Sequence, residues 1–262
     1  MRLKKEINAI ITIGSRDFIK FIRDRFRILA TFIFPMIFIG ILGGSLQSNL
    51  GKSVGFNFLT FVFIGSIGQT LFQSTASGII SLVRDREEDF AQEMFVAPVS
   101  RFSIVLGKIF GESMVALAQV VGIILFGLII QVPIDWGHMA RLIPFMIIPC
   151  LLGGAFGVLV LANLGSQVSV QQIFPFIIFP QFFLSGVFAP IKDLPPVLLV
   201  LSRIAPMTYS VDFIRSIYYY GTPEYSKIVL FNPATGLLII SVIFTVFLSL
   251  GTFLFVRNER ER

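Results

Sequence analysis

Residues 28–46 read ILATFIFPMIFIGILGGSL, nineteen positions without one charged side chain. Hydrocarbon about 30 Å thick, crossed at about 1.5 Å per residue, needs a helix of roughly this length and character. Working outward, the same test picks out five further stretches: Phe56 to Val83, Ser113 to Ile130, Leu142 to Leu164, Ile173 to Phe188 and Leu237 to Val256. A seventh apolar run, Val197 to Leu201, is too short to cross. The whole composition agrees. Of 262 residues 55% are hydrophobic and 14% charged, 30 are Phe, and mean hydropathy is +0.86, whereas a soluble domain carries about 25% charged residues. The expected fold class is an all-α integral membrane protein of six spans, forming a single membrane domain over residues 1–262.

The formal charge of +6 is arranged for a bilayer rather than for nucleic acid, because Lys and Arg cluster beside the apolar runs. With a cytoplasmic N-terminus, the inside holds Arg2, Lys4, Lys5, Arg16, Lys20, Arg23, Arg25 and Arg27. It also holds Arg84, Arg86, Arg101, Lys108, Arg257, Arg260 and Arg262, whereas the outside holds Lys52, Arg141, Lys192, Arg203, Arg215 and Lys227. This asymmetry predicts both termini in the cytoplasm of a multi-pass protein of the cell membrane, plasma or inner. Before the first span, Ile7, Ile10, Ile11, Phe18, Phe21, Ile22 and Phe26 recur at helical spacing among basic residues. Residues 1–27 are therefore expected as an amphipathic helix on the inner leaflet. That charged, amphipathic start does not fit a cleavable signal peptide.

Several chemistries are excluded. One Cys, Cys150, and one His, His138, make neither a disulfide nor a multi-ligand zinc site within the chain. Gly51-Lys52-Ser53 resembles the end of a phosphate-binding loop, but position 46 is Leu where that loop needs Gly. The spans hold no His or Asp, which removes the usual proton-relay hardware and any nucleophile with a base in reach. Glu112 lies close to a membrane run, with Lys108 four residues before it, and is expected as a solvated pair at the inner end of span three. No catalytic site, cofactor or metal is expected in this chain.

Polar residues inside spans must find a partner or line a wet path. Gln69 and Gln73 stand four apart in span two, near Ser66, Thr70 and Ser77, and Gln181 and Ser185 repeat the spacing in span five. These four are candidates for a substrate route, with interhelical hydrogen bonding as the alternative. The pairs Gly40 and Gly44, Gly107 and Gly111, and Gly153 and Gly157 permit close helix contact without specifying which helices meet.

The inner loop at 84–101 carries charge first, Arg84 to Asp89, then Phe90, Met94 and Phe95, then Pro98 to stop a helix. Its wording, Ala97-Pro98-Val99-Ser100-Arg101 followed by Gly107-Lys108, resembles the membrane subunits of type 2 ABC exporters. So does a second block: Phe183 to Pro190, Leu194-Pro195, Pro206-Met207-Thr208-Tyr209, and Asp212 with Arg215. Asp89 and Ala205 depart from the family pattern, where Gly and Asn are usual. The drug-resistance and nodulation-factor branch is the nearer match.

The resemblance implies a permease whose ATPase is a separate polypeptide that holds ATP and Mg. The helix at about Arg86 to Val96 would couple to that subunit through Arg86, Glu87, Glu88, Phe90, Glu93, Met94, Phe95, Pro98 and Arg101. Short external re-entrant helices within 189–232 would close the outer end through Pro190, Leu194, Pro195, Pro206, Tyr209, Asp212 and Arg215. A second permease copy or paralogue and membrane lipids complete the expected partners, and an amphipathic, lipid-like or drug-like molecule is the expected cargo. A polysaccharide or glycolipid exporter and a non-transporting membrane scaffold are the alternatives.

Overall fold

A computed structural model describes residues 2–87, 100–162 and 167–260, and every regular element among them is helical. Helix α1 spans Arg2–Arg23, and Asp24 ends it by capping the next helix, its carboxylate accepting the Arg27 N–H at 2.9 Å. Helix α2, Arg25–Ile37, contains Pro35, which removes one rung of the hydrogen-bond ladder. A wider π-helical turn, Phe38–Gly43, follows directly, and α3, Gly44–Val54, continues to a left-handed cap at Gly55. Helix α4 runs over Phe58–Glu87 and α5 over Arg101–Ile129; the Asn57 and Ser100 side chains cap them.

The fourth apolar run is broken. Helix α6, Trp136–Leu142, passes through a 3₁₀ turn at Ile143–Phe145 into α7, Ile147–Ala162, with a bend of 41°. Asp135 caps α6, and the His138 N–H it accepts holds its carboxyl below the usual carboxylate range. Helix α8, Gln167–Leu184, carries Pro175 and Pro180. A 3₁₀ turn, Ile191–Asp193, leads to α9, Pro196–Ile204, and α10, Pro206–Tyr218, which meet at 90°. A short α11, Tyr225–Ile228, precedes α12, Pro233–Arg260.

Helix α4 is the axis of the bundle. Phe61, Val62, Phe63, Ile64, Ile67, Leu71 and Phe72 are fully buried on it, and α5, α7 and α10 surround it. This explains a difference from the expected six spans. Among the described residues three helical stretches, Arg25–Asn49, Phe102–Ile129 and Tyr225–Leu254, are long and apolar enough to cross a membrane, or up to five if each bent pair counts as one. Helix α4 is not among them because Gln69, Gln73 and its Ser and Thr residues lower its hydropathy. A helix sheathed by other helices has no need to be apolar all round. Helix α8 falls short on length, its apolar stretch Val168–Leu184 being among the shorter apolar helices.

The two ends of the bundle are distinct. At one end Glu6 of α1 accepts the Ser100 N–H at 3.1 Å, which ties the start of α1 to the start of α5. At the other, the Asp135 N–H donates to the Tyr218 hydroxyl at 3.1 Å and Lys192 donates to the Ser226 carbonyl at 2.6 Å. The expected amphipathic start is present as α1, but it packs along the first half of α5. Phe21 is buried there, and Ile7, Ile11 and Ile22 stay exposed. Glycine makes this contact possible: a side chain at Gly111 would meet the Gly14 backbone at 2.7 Å. The Gly107 and Gly111 spacing therefore does mark an interface, and Gly153 and Gly157 receive the α4 backbone in the same way. Gly44 makes no such approach among the described residues.

Candidate functional site

Between α2, α4, α5 and α8 lies a cavity of about 420 Å³ whose lining is polar in an otherwise apolar bundle. Gln69, Gln73, Ser74, Ser77 and Gln119 supply amides and hydroxyls, and Arg27 and Thr31 close one side. The spacing of Gln69 and Gln73 works as expected for one helical face: the Gln69 amide donates to the Gln73 side-chain oxygen at 3.0 Å, and both line the cavity. Gln181 and Ser185 do not join them. The Gln181 amide donates to the Ile177 carbonyl at 3.0 Å and its oxygen accepts the Met207 N–H at 3.3 Å, so it caps the first turn of α10. The Ser185 hydroxyl donates to the Phe182 carbonyl at 3.3 Å. Of the four expected route residues, two line the cavity and two hold helix ends. Gln119 and Arg27 were the missed members, although an uncharged Gln at the seventh position of the run Ser113 to Ile130 and the last Arg before span one are both visible in the sequence.

Charged groups stand near the Arg27 side of the cavity. Glu112 is 2% exposed and lies 3.6 Å from the Arg27 guanidinium. Its carboxylate occupies the space that a side chain at position 78 would fill, which Gly78 leaves open. One turn earlier Lys108, also buried, lies 2.8 Å from Asp17 of α1. The expected solvated Lys108–Glu112 pair is thus corrected. Each residue is buried and turns to a different helix, because α1 and α2 cover this face of α5. Buried charges of this kind persist only with close counter-charges and hydrogen bonds. The four side chains link α1, α2 and α5 at the end of the bundle where Glu6 meets Ser100.

At the opposite end the residues of the second sequence block form one braced unit. Arg215 is fully enclosed: its guanidinium donates to the carbonyls of Gly186 at 2.6 Å, Val187 at 3.0 Å and Phe61 at 3.1 Å. It also lies 3.5 Å from the centre of the Phe61 ring, an added cation–π attraction. Asp212 accepts the Leu230 and Phe231 N–H groups at 2.8 and 3.0 Å. The three-residue spacing therefore serves as a brace through backbone groups, not as a surface ion pair. Tyr209 donates to the Arg203 carbonyl at 2.6 Å across the α9–α10 corner and stacks on Phe231. Pro206 opens α10, while Pro190 and Leu194 flank the 3₁₀ turn and Pro195 precedes α9. Thr208, which donates to the Ser202 carbonyl at 2.7 Å, belongs to the same corner; the sequence block contains it, but it was not among the residues expected to act there.

The expected coupling element falls mostly outside the described residues. Arg86 and Glu87 are the last residues of α4 and Arg101 the first of α5. Glu88, Phe90, Glu93, Met94, Phe95 and Pro98 lie outside what the structure describes.

Comparison with known proteins bears on this arrangement. The family model "ABC-2 type transporter" matches residues 8–219. A transport permease, ycf38, of Cyanophora paradoxa is 26% identical over 84% of this chain and 78% of its own length. Nodulation protein J of Neorhizobium galegae is 24% identical over 69% of this chain and 70% of its own. A multidrug ABC transporter permease of Escherichia coli, YbhR, is 29% identical over 53% of this chain and 38% of its own length.

Proposed function

This chain belongs to the ABC-2 type transporter family, and we propose on that ground that it is the membrane subunit of an ABC exporter with a separate ATPase. As a transport permease rich in apolar helices it is a multi-pass membrane protein. The finer assignment is six spans, namely α2 with α3, α4, α5, the bent pair α6 and α7, α8 and α12, with α9 and α10 re-entrant and both termini in the cytoplasm. The ATPase subunit binds ATP and Mg and drives movement outward. The observation that carries this assignment is the polar cavity. Gln69, Gln73 and Gln119 line a pocket inside an apolar bundle, where polar groups are costly unless they meet one another, water or a ligand.

The cavity forms the inner part of the route, and a second copy or a paralogue completes the path between two bundles. The braced unit around Asp212 and Arg215 closes the outer end, where Arg215 ties the Gly186–Val187 loop to α4. An amphipath fits such a route, its polar part hydrogen-bonding to the amides and its apolar part lying on the aromatic-rich helices. Drug-like and lipid-like compounds head the candidates, and the relative YbhR of Escherichia coli carries the name of a multidrug ABC transporter permease. A polysaccharide or glycolipid cargo is the runner-up.

Coupling rests on the inner loop, where Phe90, Met94 and Phe95 would anchor in the ATPase and Arg86, Glu87, Glu88, Glu93 and Arg101 would form the rim. Binding energy at such contacts concentrates in a few apolar or aromatic anchors. The test is Phe90→Ser with Met94→Ser, followed by co-purification with the ATPase and substrate-stimulated hydrolysis. The expected result is loss of the complex or of the stimulation in a permease that still inserts. Unchanged assembly and unchanged stimulation would refute the coupling role, and an ATPase that never associates would leave the scaffold alternative standing.

A further inference from the structure

Away from the polar cavity, at the end of the bundle that carries Asp135 and Lys192, a groove of about 770 Å³ opens between the 3₁₀ turn after α6, the end of α10 and the start of α12. Its volume is in the range of small-molecule sites, about 300 to 1,000 Å³. Pro144, Phe145, Ile217 and Ala234 make its walls apolar, and Arg141 and Asn232 bring the polar groups to its lining. The Arg141 guanidinium donates to the Tyr220 carbonyl at 3.4 Å. A guanidinium has five donors in a fork that suits phosphate.

We propose that this groove holds an anionic phospholipid of the outer leaflet, with its phosphate at Arg141 and an acyl chain along Phe145, Ile217 and Ala234. The surroundings select the occupant. On the elements that line the groove, Ile143, Leu237, Leu238 and Val242 are all exposed, so apolar surface extends along them. Trp136 and Tyr220 are also exposed at this end, as aromatic residues are where hydrocarbon meets headgroups. An apolar trough with one cation at its polar end is complementary to a single anionic head on an apolar tail. A lipid seated there touches α6, α10 and α12 together, and it steadies the outer end of α10 that carries Asp212 and Arg215. The proposal rests on the chain being a membrane permease.

The test uses the full chain, purified without its ATPase and incubated with equal amounts of phosphatidylglycerol and phosphatidylcholine of identical acyl chains. Retained lipid is counted by native mass spectrometry. The wild-type chain should keep phosphatidylglycerol over phosphatidylcholine by about tenfold, the scale of one charge-assisted contact. Arg141→Gln should reduce that preference to about twofold or less, and Arg141→Lys, which keeps the charge but not the fork, should fall between the two. Ala234→Trp, which fills the trough, should lower retention of both lipids. An unchanged preference in Arg141→Gln overturns the proposal. So does an Ala234→Trp chain that retains lipid normally but loses self-association, because the groove is then a contact between copies. Lipid retention is read on the permease alone, so its failure is separable from a failure of ATPase coupling.

Discussion

Replacing Arg215 with Met keeps the length and the apolar stem of the side chain and removes three hydrogen bonds, to the carbonyls of Gly186, Val187 and Phe61. Each buried carbonyl left without a donor costs about 1 to 3 kcal/mol. The cation–π contact with Phe61 adds about 1 to 2 kcal/mol in a desolvated setting. Against this, the variant no longer has to desolvate a guanidinium, a term of several kcal/mol. Asp212 keeps the Leu230 and Phe231 N–H groups, so no orphaned carboxylate is created. The net loss expected is about 3 kcal/mol, the three orphaned carbonyls outweighing the relief of guanidinium desolvation. It should be concentrated in the 185–231 region. The assay is thermal unfolding of the detergent-solubilised chain by fluorescence-detected size exclusion, together with thiol labelling of a Cys placed at Ala189. The variant should lose its monodisperse peak at a temperature several degrees lower and label faster at position 189. Gly65→Ala should reproduce part of the effect, since its methyl would fall on the Arg215 guanidinium. An Arg215→Met chain that unfolds and labels like the wild type would refute the view that this side chain braces the Gly186–Val187 loop against α4.

The remaining predictions concern the Lys108–Asp17 pair, the interface of α1, the cavity and the topology. Lys108→Met removes the cation 2.8 Å from buried Asp17 and should destabilise the chain by about 3 to 5 kcal/mol, with Asp17→Leu restoring much of it; a double variant no better than the single would sink the pairing. Gly111→Leu cannot fit against Gly14, which its first carbon would approach at 2.7 Å. It should free α1 from α5, measured as faster proteolysis near Arg16 with the remaining helices intact. Gln73→Leu should reduce transport of a hydrogen-bonding cargo far more than it reduces melting temperature, and equal loss of both would assign Gln73 to packing. A Cys at Lys192 should react with a membrane-impermeant thiol reagent from outside and one at Glu88 should not; the opposite pattern would invert the topology.

Periodicity and composition alone determined the helical class, the six apolar runs and the amphipathic start, because a bilayer imposes its thickness and polarity on each segment separately. The pairing of Gln69 with Gln73 was legible for the same reason, since it needs nothing beyond one helix. What the tertiary structure decided depends on which helices meet. Gln181 has the spacing of a route residue, yet the 90° turn before α10 brings the Met207 N–H to it, and that donor takes its oxygen. Lys108 and Glu112 are four apart as a solvated pair would be, but α1 and α2 fold over them, bury both and bring Asp17 and Arg27 to them. Asp212 and Arg215 share a face, while their partners come from residues 18 and 154 positions away in the chain. Local pattern records what a helix can present; only packing settles which neighbour comes within hydrogen-bond reach.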